Sequence, residues 1–276
     1  MKIKYLGTAA AEGIPAIFCQ CETCKKARKN KGRDIRTRSQ ALVDNKILID
    51  FNADTYMHVL DYDIDLSEIE HCIITHAHAD HLYPEDFNMR GSNFARFTDV
   101  CKVLNVYGSK TVTDSCRNIC TVDEAIVAFH TVDAFKSFIV GEYTITPLPA
   151  LHAEKTGPLM YMIEKDGQIL LYAHDTNYFS EEVWEYFEKC SLKFSLVSLD
   201  CTEANLPEMP YIGHMNLKDN VKVRKKLIEI GAADKHTVFV SNHFSHNGIG
   251  VLYDEFSLKA EKEGFLTSYD GMEIEI

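Results

Sequence analysis

The chain has 276 residues, 46% of them hydrophobic, with 29 basic and 41 acidic side chains and a formal net charge of −12. That size suits one domain over residues 1–276 with a large core. It excludes wholesale disorder, a membrane span, and an extended nucleic-acid surface, since phosphate repels acidic faces. The first residues alternate like a strand and lack the apolar core of a signal peptide, so the expected location is the cytoplasm.

In chain order, β-branched apolar runs predict strands at 2–6, 40–43, 46–49, 72–75, 103–107, 143–148, 159–164, 168–172, 194–199 and 237–241. Asp44-Asn45 and Asp166-Gly167 read as hairpin turns between neighbouring strands. Helical patterns fall at 109–119, 181–189, 217–230 and 250–263, with Ser180 expected to cap the second. Strands alternating with helices, and hairpins mixed among them, describe an α/β chain. Residues 25–38 carry eight basic side chains and one acid, Asp34, so the positive charge is local. This run either forms a solvated face or frames the entrance to a site.

Nine cysteines in a cytosolic chain argue against a disulfide framework. Cys72, Cys101, Cys116, Cys120, Cys190 and Cys201 are scattered and mostly read as small buried hydrophobes. Cys19, Cys21 and Cys24 are clustered in a tight knuckle, one ligand short of a closed tetrahedral zinc site.

The chemistry concentrates in Thr75-His76-Ala77-His78-Ala79-Asp80-His81-Leu82, directly after the apolar run Cys72-Ile73-Ile74. Such a motif leaves a buried strand at its C-terminal end, where open α/β sheets build their sites. His76 and His78 can point the same way, while Asp80 and His81 face a second point nearby. Four ligand-type residues within six leave room for two metals, and imidazole with carboxylate suits zinc, manganese or iron.

This motif resembles the metallo-β-lactamase superfamily, and the resemblance runs through essentially the whole chain. It implies an αββα sandwich of two mixed β-sheets flanked by helices. His152, Asp175 and His243 each follow an apolar strand-like run and resemble the later ligands. By resemblance, His76, His78 and His152 bind one divalent ion, and Asp80, His81 and His243 bind a second. Asp175 bridges them, with Asp50 and Asp200 as supporting carboxylates. The knuckle, with His246 as fourth ligand, and the segment Gly7–Pro15 resemble the phosphoribosyl cyclic phosphodiesterase branch, which carries a Cys3His structural zinc. Gly213-His214-Met215 resembles that family's phosphate-contacting histidine, either a general acid or a phosphate clamp.

The implied activity is metal-dependent hydrolysis of a small, anionic phosphodiester, cyclic or linear, by a metal-bridging hydroxide, with Asp80, Asp175 and His214 as catalytic residues. Arg36 and Arg90 are the expected cationic contacts to phosphate, since arginine's fork suits it. The segment after His81, with Tyr83, Phe87, Phe94 and Phe97, departs from the family pattern and is expected to form a pocket wall. Thioester or other acyl hydrolysis and tRNA 3′-end processing are the rival activities on the same fold, and a non-enzymatic metal-binding module is the remaining one. A homodimer is compatible with this reading.

Overall fold

The structure is a computed structural model that describes residues 1–98, 102–207 and 213–276. Its first half runs β1 (Lys2–Gly7), α1 (Glu22–Asn30), β2 (Gln40–Val43), β3 (Ile47–Ile49), α2 (Thr55–Tyr62), β4 (His71–Ile73), β5 (Leu104–Gly108), α3 (Lys110–Ile119) and β6 (Val127–Thr131). The second half runs β7 (Phe138–Val140), β8 (Tyr143–Pro149), β9 (Leu159–Lys165), β10 (Gln168–Ala173), α4 (Glu181–Cys190), β11 (Leu196–Asp200), α5 (Leu217–Glu229), β12 (Val238–Asn242), α6 (Tyr253–Ala260), β13 (Leu266–Thr267) and β14 (Glu273–Glu275). The strands form two seven-stranded mixed sheets, ordered β14-β1-β2-β3-β4-β5-β6 and β13-β12-β11-β10-β9-β8-β7.

Alternation along each strand builds the layers, because successive side chains point to opposite faces. Ile73 and Leu170 meet between the sheets, together with Tyr5, Ile49, Tyr161 and Val240. Their chain neighbours turn outward: Cys72 packs with Val112 and Cys116 of α3, and Leu171 with Trp184, Phe187 and Leu227 of α4 and α5. The result is the expected αββα sandwich. Among the described residues, no helix is long and apolar enough to cross a membrane.

Asp44-Asn45 and Asp166-Gly167 all take positive φ, the geometry that joins antiparallel strands tightly. Ser109 caps α3 as its position suggests, its side chain accepting from the Val112 N–H. Ser180 does not cap α4: its side chain makes no cap bond and its Oγ has no hydrogen-bond partner. The first turn there relies on Glu181 and Glu182 instead. Cys101, Tyr211 and Ile212 lie outside the described residues.

The site is placed by strand direction. β3, β4 and β5 run parallel in one sheet, and β10, β11 and β12 in the other. Chemistry-bearing residues follow their C-terminal ends, as Asp50 follows β3, His76 follows β4, Asp175 follows β10 and His243 follows β12. Asp50, Asp175 and His243 all take left-handed backbone (φ 67°, 52° and 64°). Non-glycine residues rarely adopt that conformation, and its local cost is tolerated where a side chain must be aimed.

Candidate metal centre

The rim between the two sheets gathers every histidine and aspartate that the resemblance implied as a ligand. His76, His78 and His152 offer nitrogens within 4.8 Å of one another, and so do the ligand atoms of Asp80, His81 and His243. His78 Nδ1 lies 2.9 Å from His76 Nε2 and 3.2 Å from His152 Nε2. Two imidazole nitrogens on one tetrahedral ion stand roughly 3.3 Å apart. Asp175 faces both groups: Oδ2 is 2.9 Å from His81 Nε2 and 2.8 Å from His243 Nε2, and Oδ1 is 3.6 Å from His152 Nε2.

His81 Nε2, His243 Nε2 and Asp175 Oδ2 are buried and, despite their closeness, make no well-formed hydrogen bond. Buried polar atoms are ordinarily paired, so three lone-pair atoms converging on one point fit a cation between them. Their other edges are fixed. His81 Nδ1 lies 2.7 Å from Asp50, whose second oxygen accepts from the Thr75 N–H and Oγ1. His243 Nδ1 meets Thr202 Oγ1 at 2.8 Å. Such partners orient ligating imidazoles and raise their basicity. Burial alone would push His81 toward the neutral form, but Asp175, Asp80 and Asp50 hold its pKa well above the ordinary value. His76 is instead held neutral, chiefly by burial.

Asp200 is a hub. Its oxygens accept from the N–H groups of Asp175, Thr202 and Met215, and Oδ2 lies 3.1 Å from His214 Nδ1. His214 stands 3.8 Å from Asp175 Oδ1. Burial opposes its protonation, yet Asp200 prevails and its pKa rises to about 9. These residues open into a pocket of about 380 Å³ that also reaches Ala10, Ala11, Glu12, Glu203, Ser245 and Asn247. Thr202 and Glu203 were not singled out from the sequence, and Glu12 appeared there only as part of the segment Gly7–Pro15. Thr202 stands beside Asp200, which was a usable signal, whereas one glutamate among many carries none.

The cysteine knuckle forms a second cluster. Cys19, Cys21, Cys24 and His246 present their ligand atoms within 4.8 Å of one another. His246 Nδ1 lies 3.6 Å from Cys19 Sγ and 3.5 Å from Cys21 Sγ. Zinc bonds of roughly 2.3 Å to sulfur and 2.0 Å to nitrogen place those atoms about 3.5 Å apart, so the donors fit. Each thiol also accepts a backbone N–H, from Cys21, Cys24 and Ala16 respectively. Burial of Cys21 is outweighed by the Cys24 N–H, His246 and Cys19, and its pKa falls to about 6.

The cationic residues expected at the substrate are elsewhere. Arg36 is 2% exposed, donates to Thr8 Oγ1 and the Ser268 carbonyl, and lies over the Phe244 ring, 4.3 Å from its centroid. It braces the core because its strand-like neighbours point it inward. Arg90 donates to the carbonyls of Leu66, Ser67 and Lys102 and borders a separate apolar cavity of about 250 Å³. The run 25–38 does not frame the metal pocket among the described residues: Arg38 pairs with Asp54 at 2.6 Å, and Arg33 lies over Tyr253 and Tyr269. The aromatic segment after His81 is likewise not a wall of this pocket. Phe87 is buried and stacks on Phe51, Phe97 borders the apolar cavity, and Phe94 is exposed.

His174, beside Asp175, points away from the cluster and meets Ser198 Oγ at 2.8 Å. His58 is buried between Gln40 and Thr37.

Two strand-end ligand clusters joined by a carboxylate, in an αββα sandwich, define the class of metallo-β-lactamase-fold hydrolases. A family model described as "Beta-lactamase superfamily domain" matches residues 45–235. The chain belongs to that superfamily. Its fold is similar to a diphosphatase from the PhnP family, at 21% identity and a TM-score of 0.76 over 100% of this chain and 97% of that one. It is similar to Zn²⁺-bound PqqB from Methylobacterium extorquens (15% identity, TM-score 0.76, 100% of both chains). Human tRNase Z, short form, shares the fold at 14% identity and a TM-score of 0.66, over 100% of this chain and 99% of that one. A comparison with curated proteins finds no match.

Proposed function

We propose that the chain is a metal-dependent phosphodiesterase acting on a small phosphodiester. The observation that carries this reading is the His214–Asp200 pair, 3.1 Å apart, set directly against the bridging Asp175. Two divalent ions held by His76/His78/His152 and by Asp80/His81/His243, both reached by Asp175, would supply Lewis acidity and a water of lowered pKa. Zinc or manganese suits these donors, and iron is compatible.

The protein's own contributions follow from position. The ligand set carries two negative charges, Asp80 and Asp175, so its metal-loaded form is net cationic and favours an anionic phosphoryl group over a neutral lactam or thioester. His214 Nε2, with Nδ1 held by Asp200, is placed to donate a proton to the departing oxygen. Asp200 keeps the imidazole oriented and charged. The similarity to a diphosphatase supports phosphoryl chemistry. The Cys19/Cys21/Cys24/His246 cluster would hold one structural zinc, pinning the N-terminal loop beside the segment that carries His243.

The test is turnover of a panel of cyclic and linear phosphodiesters, thioesters and lactams by metal-reconstituted protein. Phosphodiester hydrolysis is expected, and hydrolysis of thioesters or lactams alone would overturn the reading.

A further inference from the structure

One buried group in the pocket has no hydrogen-bonding role in this scheme, although its charge helps keep His214 protonated. Glu203 is 2% exposed and lines the pocket, yet its Oε2 has no hydrogen-bond partner and, among the described residues, no ion pair includes it. Its backbone is fixed, the N–H donating to the Met215 carbonyl (3.2 Å) and the carbonyl accepting from Leu206 (2.9 Å). A buried, unpaired carboxyl costs stability, and such groups mark places where a partner arrives.

A second carboxylate faces the same space. Glu12 lines the pocket, is anchored by the hydroxyl of Ser245, and lies 3.7 Å from His246 Nε2. The imidazole that faces the thiols through Nδ1 thus steadies Glu12 through its other nitrogen. The two carboxyls are near enough that Glu12, with Asp200, raises the Glu203 pKa beyond what burial does, against the opposing pull of His214. The pocket lining therefore combines metal ligands and His214 with two carboxyls, Glu203 and Glu12, and the polar Ser245 and Asn247.

We propose that Glu203, seconded by Glu12, is the specificity-determining group that reads the organic arm of the substrate, accepting hydrogen bonds from a hydroxyl- or ammonium-bearing arm and rejecting an arm with a second negative charge. This rests on the phosphodiesterase reading, which places the phosphoryl group against the metal ligands. The arm then shares the pocket with the Glu203 and Glu12 carboxyls. A hydroxyl or ammonium there satisfies Glu203, whereas a second phosphate or carboxylate meets like charge in a desolvated space, an arrangement that strongly disfavours binding. The same contrast disfavours a polyphosphate chain such as RNA.

The experiment is calorimetric binding of three phosphate monoesters of similar size to the metal-loaded protein: glycerol 3-phosphate, ethanolamine phosphate and 2-phosphoglycolate. The first two are expected to bind at least about tenfold more tightly than 2-phosphoglycolate. In Glu203→Gln, which keeps the shape and removes the charge, that gap should narrow to about twofold. The wild-type arm needs no variant to fold. Equal affinity of all three for the wild type, or an unchanged gap in Glu203→Gln, would overturn the inference and leave the phosphodiesterase reading standing. Failure of all three to bind would also overturn the inference, while the phosphodiesterase reading is decided separately by the turnover panel.

Discussion

The two ligand clusters are built in opposite ways. The rim cluster draws its donors from segments as distant as His76 and His243, held by strand ends and by the carboxylates Asp50 and Asp200. The knuckle takes three thiols from six consecutive residues and only His246 from afar, held by backbone N–H groups. The rim opens into a pocket, whereas the knuckle's four donors close on one another. Open sites can do chemistry and closed ones hold structure. Damage to the rim should therefore remove activity and spare the fold, and damage to the knuckle should do the reverse.

The largest expected effect is at the bridge. Asp175→Asn should lower phosphodiester kcat by at least about 10²–10³-fold while leaving the circular dichroism spectrum native. A folded variant with near-normal turnover would break the comparison. His214→Gln should lower kcat by about 10²-fold with metal content unchanged, which elemental analysis can check. Loss of metal along with activity would move His214 into the ligand set.

On the other side, Cys21→Ser should lose about one zinc per chain and at least about 3 kcal/mol, or about 5–10 °C in Tm. The residual folded fraction should still turn over substrate. Equal stability of the variant would make the knuckle dispensable.

A smaller effect sharpens the contrast, because it belongs to neither cluster. Burial depresses the pKa of His58 to about 4, with Asp54 and Asp61 opposing. Its neutral form therefore stabilises the fold above the unfolded value of about 6.5, and that contribution is lost as pH falls toward 4. Between pH 7.5 and 5 the loss should be about 2 kcal/mol in urea unfolding, and His58→Gln should flatten it. An unchanged slope in the variant would trace acid sensitivity to the rim histidines instead.

The sequence carried the donors more faithfully than their surroundings. His76 to His81 are contiguous, and His152, Asp175 and His243 each end an apolar run, so strand polarity alone brings them to one rim. Short or exposed elements were not legible. β7, with its burial pattern of partly exposed residues, and the two-residue β13 have too little periodicity to register, and α1 was hidden in a charge run. Arg36 was misplaced for a physical reason: a guanidinium reads as a surface cation, and only tertiary packing shows it lying on Phe244. Glu203 was invisible because what distinguishes it is the lack of a partner, a property of the fold rather than of the residue type.

The central claim is tested most directly by hydrolysis of bis(p-nitrophenyl) phosphate by chelator-stripped protein before and after return of zinc or manganese. The account expects no turnover when stripped and restored turnover with metal, with Asp175→Asn inert in both states. Reconstituted protein that cleaves thioesters or lactams but no phosphodiester would contradict it.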